Sequence, residues 1–163
     1  WPALLSSTSA NIVVNNGADE ALHCDQTYMP EPWGAAYGIN IAWAVDDYYA
    51  ANGATVVAPG THLLNRSHRP DEKLPEFIPV EAPAGAMIVM DGRVWHRTGR
   101  NMTGEPRAGI FNWYTLPIYM PQENWFLSLN PALRQFGSEN LQTLLGFRPG
   151  ILGRVNGLEP RGL

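Results

Sequence analysis

The stretch of sequence that decides the fold is GAMIVMDGRVWHRTGRNMTGEPR, residues 85–107. It holds two short apolar runs, residues 86–91 and 94–98, which are bounded by residues typical of turns. Short apolar runs with such boundaries predict β-strands. Because side chains alternate along a strand, His96 and Thr98 are expected on the same face of the second run. The segment therefore predicts a β-rich fold in which one strand presents a histidine and a threonine together.

The rest of the chain extends this pattern on both sides. Sixteen Gly and fourteen Pro residues favour many short strands and turns over a helical bundle. Helical composition is confined to the region after Pro121, and residues 146–163 are expected to be extended. The pattern predicts a mainly β sandwich or jelly-roll barrel with short C-terminal helices. The further strand candidates are residues 12–14, 21–26, 38–45, 55–58, 78–81 and 107–116, and the helix candidates are residues 122–129, 131–136 and 139–145.

The length of 163 residues fits one domain. We expect a single unit over residues 1–163, with the barrel strands and a metal site in residues 1–120 and the short helices and tail in residues 121–163. Residues 61–77 are polar, broken by proline and without periodicity. A long loop of this kind is often functional, so we predict a mobile lid there.

Composition and charge narrow the class of partner. The chain is 45% hydrophobic and 16% charged, with a net charge of -4. This balance excludes the basic stripe that a nucleic-acid partner needs, and no apolar run is long enough to span a membrane. The lone cysteine, Cys24, excludes an intrachain disulfide framework and fits the cytoplasm or another reducing intracellular compartment. The oligomeric state stays open, a homodimer included.

A candidate metal site comes from three residues on two predicted strands. On the strand over residues 21–26, His23 and Asp25 are expected on one face, with Cys24 on the other as a packed thiol. His96 would face them from its own strand. Two histidines and one carboxylate form the facial triad that suits Fe(II) and leaves coordination positions open.

A candidate carboxylate clamp follows His96 by eleven residues. If residues 99–106 form the turn of an antiparallel hairpin, Arg107 lies alongside Thr98 and close to His96. A buried guanidinium with a neighbouring hydroxyl suits a carboxylate that is held by two hydrogen bonds. A metal site with such a clamp is what a 2-oxoacid cosubstrate requires.

Three segments together resemble the phytanoyl-CoA dioxygenase-like Fe(II)/2-oxoglutarate oxygenases. They are LHCDQ at residues 22–26, NGATVVAPGTHL at residues 52–63, and the segment over residues 85–107. Their order and spacing are similar to those of the family. The resemblance implies a double-stranded β-helix, a cupin-like jelly roll. It also implies Fe(II), 2-oxoglutarate and dioxygen as reactants, with the iron on His23, Asp25 and His96.

The resemblance further assigns the cosubstrate. It implies that Arg107, assisted by Thr98, binds the 5-carboxylate of 2-oxoglutarate and that Thr55 helps to hold it. One departure is Glu20, where many relatives carry Gln near the cosubstrate. Because a carboxylate facing an anionic ligand is unfavourable, either Glu20 points away or the local contact differs. The presence of Asp25 disfavours halogenation, since the related halogenases replace this ligand with a small residue.

The substrate is expected to be a small organic molecule. Phe111 and Trp113 share the face of Arg107 on their strand, so both rings are candidates for the wall of a substrate cavity, with a packed core as the alternative. The leading hypothesis is an enzyme that hydroxylates this molecule and releases succinate and CO2. The alternative is a cupin-like binding or structural domain whose metal site is non-redox or unused.

The N-terminal side is short for such a barrel. His23 is preceded by only 22 residues, with room for one or two short strands. Since a double-stranded β-helix needs about eight core strands, we expect this sequence to be the C-terminal part of a longer enzyme whose barrel is N-terminally incomplete here.

Overall fold

The structure is a computed structural model that describes residues 3–15, 17 and 20–148. Within those residues it contains seven β-strands and three short α-helices. Most of the predicted tail, residues 149–163, lies outside the described residues. The strands are β1 (Leu4–Val13), β2 (Gly38–Ala44), β3 (Thr55–Val57), β4 (Ile78–Pro79), β5 (Met87–Asp91), β6 (His96–Thr98) and β7 (Arg107–Thr115), and the helices are α1 (Trp125–Ser128), α2 (Pro131–Phe136) and α3 (Glu139–Leu144).

The strands form two sheets. One has four strands in the order β1-β7-β2-β5, and the other has three strands in the order β4-β3-β6. The pairs β2–β5, β3–β4 and β3–β6 are all antiparallel. The prediction of a mainly β fold with short C-terminal helices is therefore confirmed.

The chain divides into two compact units. The larger unit is Ser9–Phe111, and the smaller one consists of residues 3–8 and 112–148 among the described residues. In the smaller unit, Asn130 and Ser138 cap α2 and α3 by accepting hydrogen bonds from backbone N–H groups in the first helical turn. None of the helices in the described part of the chain is long and apolar enough to cross a membrane.

Strand β2 shows how the sequence positions one wall of the larger unit. Asn40, Ala42 and Ala44 are buried, whereas Ile39 and Trp43 on the opposite face are exposed. The strictly alternating exposure is that of a half-buried strand. Ala44 belongs to the core cluster with Tyr48 and Ala54. The other two buried residues of β2 are alanines, so Asn40 supplies the one polar side chain among them.

The two strand predictions near the N-terminus have different outcomes. Residues 21–26 do not form a strand: His23 makes an isolated bridge, and Asp25–Tyr28 form a 3-10 helix. The buried Gln26 stabilises this turn, because its side-chain amide donates a hydrogen bond to the carbonyl oxygen of Ala35 and accepts one from the backbone N–H of Tyr37. In contrast, the predicted strand at residues 12–14 is the end of a longer one: β1 has ten residues and ends at Val13, and its serines and threonine gave a weak hydrophobic pattern.

The predicted hairpin between β6 and β7 was also wrong. The two strands lie in different sheets. After Thr98 the chain stays beside residues 51–54: the backbone N–H of Gly99 donates to Ala54 at 3.0 Å, and Asn101 bridges Asn52. The fit is so close that a Cβ on Gly99 would lie 2.5 Å from the Ala54 oxygen, which only glycine avoids. This contact directs the chain into the other sheet.

The predicted lid, residues 61–77, is tethered within the larger unit. Arg66 forms an ion pair with Glu72, and Arg69 forms one with Glu31, each at 2.5 Å. The indole N–H of Trp95 also donates to the carbonyl oxygen of Arg66 at 2.8 Å. Movement of this segment as a lid stays a prediction, and it would have to break the contacts with Glu31 and Trp95, whereas the Arg66–Glu72 ion pair lies within the segment.

Candidate active site

A cavity of about 170 Å³ lies within the larger unit. Five of the six residues that the sequence proposed for metal or cosubstrate, all except Arg107, meet there with polar residues that it did not single out. The cavity is partly open, and its lining is more polar than apolar. The lining residues are Ser9, Asn11, Glu20, His23, Asp25, Asn40, Thr55, His96, Thr98 and Phe111.

The two histidines are held together by their own backbones. The N–H of His23 donates to the carbonyl oxygen of His96 at 3.1 Å, and the N–H of His96 donates to that of His23 at 2.8 Å. Paired residues on neighbouring strands place their side chains next to each other. The centroids of the two imidazole rings accordingly lie 4.4 Å apart.

Each imidazole has one ring nitrogen engaged by the chain itself. Nδ1 of His23 lies 2.9 Å from the Ala21 carbonyl oxygen, and Nδ1 of His96 lies 2.9 Å from that of Val94. A carbonyl oxygen only accepts, so Nδ1 carries the proton in both rings. This tautomer leaves the lone pair on Nε2, which is how proteins commonly orient histidine for a metal ion.

Asp25 completes the cluster from the first position of the 3-10 helix. Its Oδ2 lies 3.9 Å from Nε2 of His96 and accepts a 3.0 Å hydrogen bond from the side-chain amide of Asn40. One ligand atom from each of His23, Asp25 and His96 lies within 4.8 Å of the others. The three residues that the sequence selected can therefore hold one metal ion, and Asn40 fixes the carboxylate.

Cys24 lies between two of these residues in sequence but points elsewhere. It is fully buried, and its sulfur lies 3.9 Å from the Ser67 hydroxyl oxygen. Burial raises the pKa of the thiol to about 11. A buried thiol with such a pKa is a poor ligand and nucleophile, in agreement with the predicted packed side chain.

Arg107 is buried and only partly satisfied. Its guanidinium lies over the ring of Tyr48, with 4.1 Å between Cζ and the ring centroid, and Nη2 donates to the carbonyl oxygen of Gly53. Nε and Nη1 have no hydrogen-bond partner among the described residues. Burial lowers the pKa of Arg107 from its usual range. Buried N–H donors without a partner are costly, so this guanidinium is suited to an anionic acceptor.

Thr98 and Thr55 lie opposite each other on β6 and β3. Both line the cavity, and His96 and Thr98 share a face of β6 as the sequence predicted. Thr98 is already engaged: its backbone N–H and its hydroxyl both donate to Oε2 of Glu20, at 2.7 Å and 2.6 Å. A carboxylate of the chain itself thus holds the donor group that the sequence assigned to a ligand.

The Glu20 carboxylate is stabilised as an anion. Partial burial alone would raise its pKa, but the two hydrogen bonds from Thr98 hold the pKa below the usual carboxyl value. The cavity therefore carries the Glu20 carboxylate as an anion near neutral pH.

The two predicted substrate-wall aromatics have different outcomes. Phe111 lines the cavity. Trp113 is buried, with 4% of its surface exposed, and its role in a substrate wall stays a prediction. The sequence analysis missed Asn40 and Tyr48. The signal for Asn40 was a polar residue within the apolar run of residues 38–45, whereas no sequence pattern linked Tyr48 to Arg107.

The chain is similar to known proteins over most of its length. A family model described as Phytanoyl-CoA dioxygenase (PhyH) matches residues 3–109. The chain is 36% identical over 87% of its length to the dioxygenase af480 of Aspergillus fumigatus, and 31% identical over 86% of its length to the multifunctional dioxygenase prhA of Penicillium brasilianum. It covers 47% and 51% of these proteins, so it spans about half the length of the curated relatives it matches.

A solved structure with a similar fold is the non-heme alpha ketoglutarate dependent epimerase SnoN from nogalamycin biosynthesis. The similarity covers 86% of this chain and 57% of that one, with a TM-score of 0.57 and 25% identity. The likeness supports the predicted double-stranded β-helix.

Proposed function

The chain belongs to the phytanoyl-CoA dioxygenase family, and from this premise we propose that it carries the catalytic site of an Fe(II)- and 2-oxoglutarate-dependent oxygenase. The observation that carries the proposal is the pairing of two features in the larger unit. One is a His-Asp-His cluster with both Nε2 atoms free, and the other is a buried arginine with two unpartnered nitrogens.

The metal-binding half of the proposal concerns His23, Asp25 and His96. Two neutral imidazoles and one carboxylate suit Fe(II) and leave positions open for other ligands. The engaged Nδ1 atoms and the hydrogen bond from Asn40 hold all three side chains in place without a metal ion. Such support lowers the entropic cost of binding. These residues fit iron.

The cosubstrate half concerns Arg107, Thr98 and Thr55. The unpartnered Nε and Nη1 of Arg107 offer charged donors to a carboxylate, and the Thr98 hydroxyl offers a neutral one. Burial strengthens a charged hydrogen bond that finds its partner. These residues fit the 5-carboxylate of 2-oxoglutarate, and Thr55 would support it from the adjoining strand.

The iron, 2-oxoglutarate and dioxygen supply the oxidising power for attack on a C–H bond. The chain contributes geometry: the histidine pair sets the position of the ion, and Arg107 sets the orientation of the cosubstrate. Phe111 excludes water from one side of the cavity and presents an apolar surface to a substrate.

The substrate proposed for this site is a small organic molecule, and the outcome proposed is hydroxylation with release of succinate and CO2. The relatives support an oxygenase by their names as dioxygenases. We propose no partner beyond the substrate and cosubstrate, and we propose that neither a nucleic acid nor a membrane takes part.

The experiment is succinate formation from 2-oxoglutarate by the full-length enzyme with Fe(II) and ascorbate, measured with and without a panel of small molecules. The expected result is slow succinate release alone and faster release with a true substrate. The alternative, a cupin-like binding domain, predicts metal binding without any succinate. The matched control is Asp25→Ala, which should remove the activity while the protein stays folded.

A further inference from the structure

We propose that Glu20 is an internal competitor of 2-oxoglutarate, because its carboxylate occupies the two Thr98 donors and must leave them before a cosubstrate carboxylate can use them. This inference rests on the proposed function, since it assumes that 2-oxoglutarate binds beside Thr98. On this inference, Glu20 raises the concentration of 2-oxoglutarate that is needed to fill the site.

The geometry of Glu20 is that of a bound ligand. A single oxygen, Oε2, accepts from both the backbone N–H and the hydroxyl of Thr98, at 2.7 Å and 2.6 Å. Two donors on one acceptor oxygen form the same kind of contact that a free carboxylate would make. Glu20 also lines the cavity together with His23, Asp25 and His96. An incoming dianion would thus meet a carboxylate of the chain at its own binding position.

Glu20 has the freedom to leave. Glu20 is exposed, and its side-chain hydrogen bonds within the described part of the chain are those with Thr98. Arg107, by contrast, is buried and keeps two nitrogens unpartnered. Displacing Glu20 breaks its two hydrogen bonds with Thr98 and exposes no buried charge. The two donors of Thr98 can then form two hydrogen bonds with the cosubstrate.

Electrostatics make the competition unfavourable for the cosubstrate. The Glu20 carboxylate places a negative charge beside Thr98 before a dianion enters the cavity. Like charges placed next to each other weaken binding strongly. Replacing this carboxylate by an amide keeps the shape of the side chain and removes its charge.

The test compares Glu20→Gln with the parental protein. The measurement is the dissociation constant of 2-oxoglutarate for the full-length, Mn(II)-loaded protein without turnover, by calorimetry. We expect Glu20→Gln to bind 2-oxoglutarate about tenfold more tightly, because one like charge is removed from the site. The metal affinity, measured separately, should stay within about twofold, since Glu20 is not one of the three candidate ligands. Glu105→Gln is the matched control, because it removes one charge from another exposed glutamate and should change neither constant.

A second variant separates competition for Thr98 from general repulsion. In a Thr98→Val background the hydroxyl donor is absent for both carboxylates, so the gain from Glu20→Gln should shrink. A gain that is equally large in both backgrounds would show repulsion alone and would overturn the competition for Thr98.

The outcomes separate this inference from the proposed function. If the parental protein binds 2-oxoglutarate and Glu20→Gln binds it equally or more weakly, the inference is wrong and the proposed function stands. If neither protein binds it while both bind the metal ion, the proposed function fails, and the inference fails with it.

Discussion

The metal end of the candidate site (His23, Asp25 and His96) and its clamp end (Arg107 and Thr98) differ in how their polar groups are satisfied. At the metal end, each candidate ligand is supported by another group: Ala21 and Val94 engage the two imidazoles, and Asn40 engages Asp25. At the clamp end, Arg107 has two nitrogens without partners, and Thr98 is taken by a carboxylate of the chain.

This difference separates two ways to prepare a binding site. The metal end is preorganised, so an ion would find its ligands in position. The clamp end has unmatched donors and an internal acceptor, so its ligand must compete. Substitutions at the metal end should therefore alter metal affinity directly, whereas substitutions at the clamp end should alter the cosubstrate requirement and leave the metal affinity unchanged.

The largest expected effect is at the metal end. His96→Ala should lower Fe(II) or Mn(II) affinity by about 100-fold or more, because losing a residue that merely supports a ligand already costs about 10- to 100-fold. Anaerobic calorimetric titration would measure it. His62→Ala removes a histidine that does not line the cavity and should bind the metal like the parental protein. Parental affinity in His96→Ala would refute the assignment of the triad.

The next effect is at the clamp end. Arg107→Ala should weaken 2-oxoglutarate binding by about 30-fold or more, since truncating one partner of a buried charged pair costs about 2–5 kcal/mol. Metal affinity should be unchanged. Arg107→Lys keeps the charge but not the forked donors, and we expect an intermediate loss. An unchanged 2-oxoglutarate requirement in both variants, measured as KM for succinate formation, would remove Arg107 from the clamp.

A smaller effect is expected for the group that supports Asp25. Asn40→Ala removes the 3.0 Å hydrogen bond to Oδ2 and should lower metal affinity by about tenfold, with the fold retained. Metal titration and circular dichroism on the same sample would check both statements. If the metal affinity does not change, the hydrogen bond from Asn40 is not needed to hold Asp25 in position for the ion.

The smallest effect is a pH dependence of stability at Glu20. Its pKa is lowered in the folded protein, so the stabilisation is present above the usual carboxyl pKa of about 4.5 and is lost as the pH falls below it. Glu20→Gln should therefore have a slightly lower Tm than the metal-free parental protein at pH 7, and the two values should converge in acid. A Tm difference that is the same at both pH values would contradict the Thr98 contact.

Local patterns could be predicted from the sequence. The two-residue period placed His96 and Thr98 on one face of β6, and apolar runs between turn residues located most strands within a few positions. Pro131 and the residues around it likewise gave α2 with its observed bounds. These features depend on neighbours in the chain, so one sequence contains the information for them.

Long-range pairing could not be predicted in the same way. Asp25 reached the metal cluster from a 3-10 helix and not from a strand, and Arg107 came from the other sheet and not from a hairpin with β6. The contact of Glu20 with Thr98 joins segments that no sequence pattern connects. Tertiary contacts decide each of these positions.

The paired backbones of His23 and His96 have a consequence for folding. Two hydrogen bonds join residues that are widely separated in sequence, and closing such a loop costs conformational entropy. A metal ion held by both imidazoles would stabilise the closed loop, because it binds the chain when the loop is closed and not when it is open. Destabilising the contact between β3 and β6 would then be measured as weakened metal binding, even where no ligand is altered. Where the candidate ligands are unaltered, a loss of metal binding would thus indicate that the loop between His23 and His96 is no longer closed.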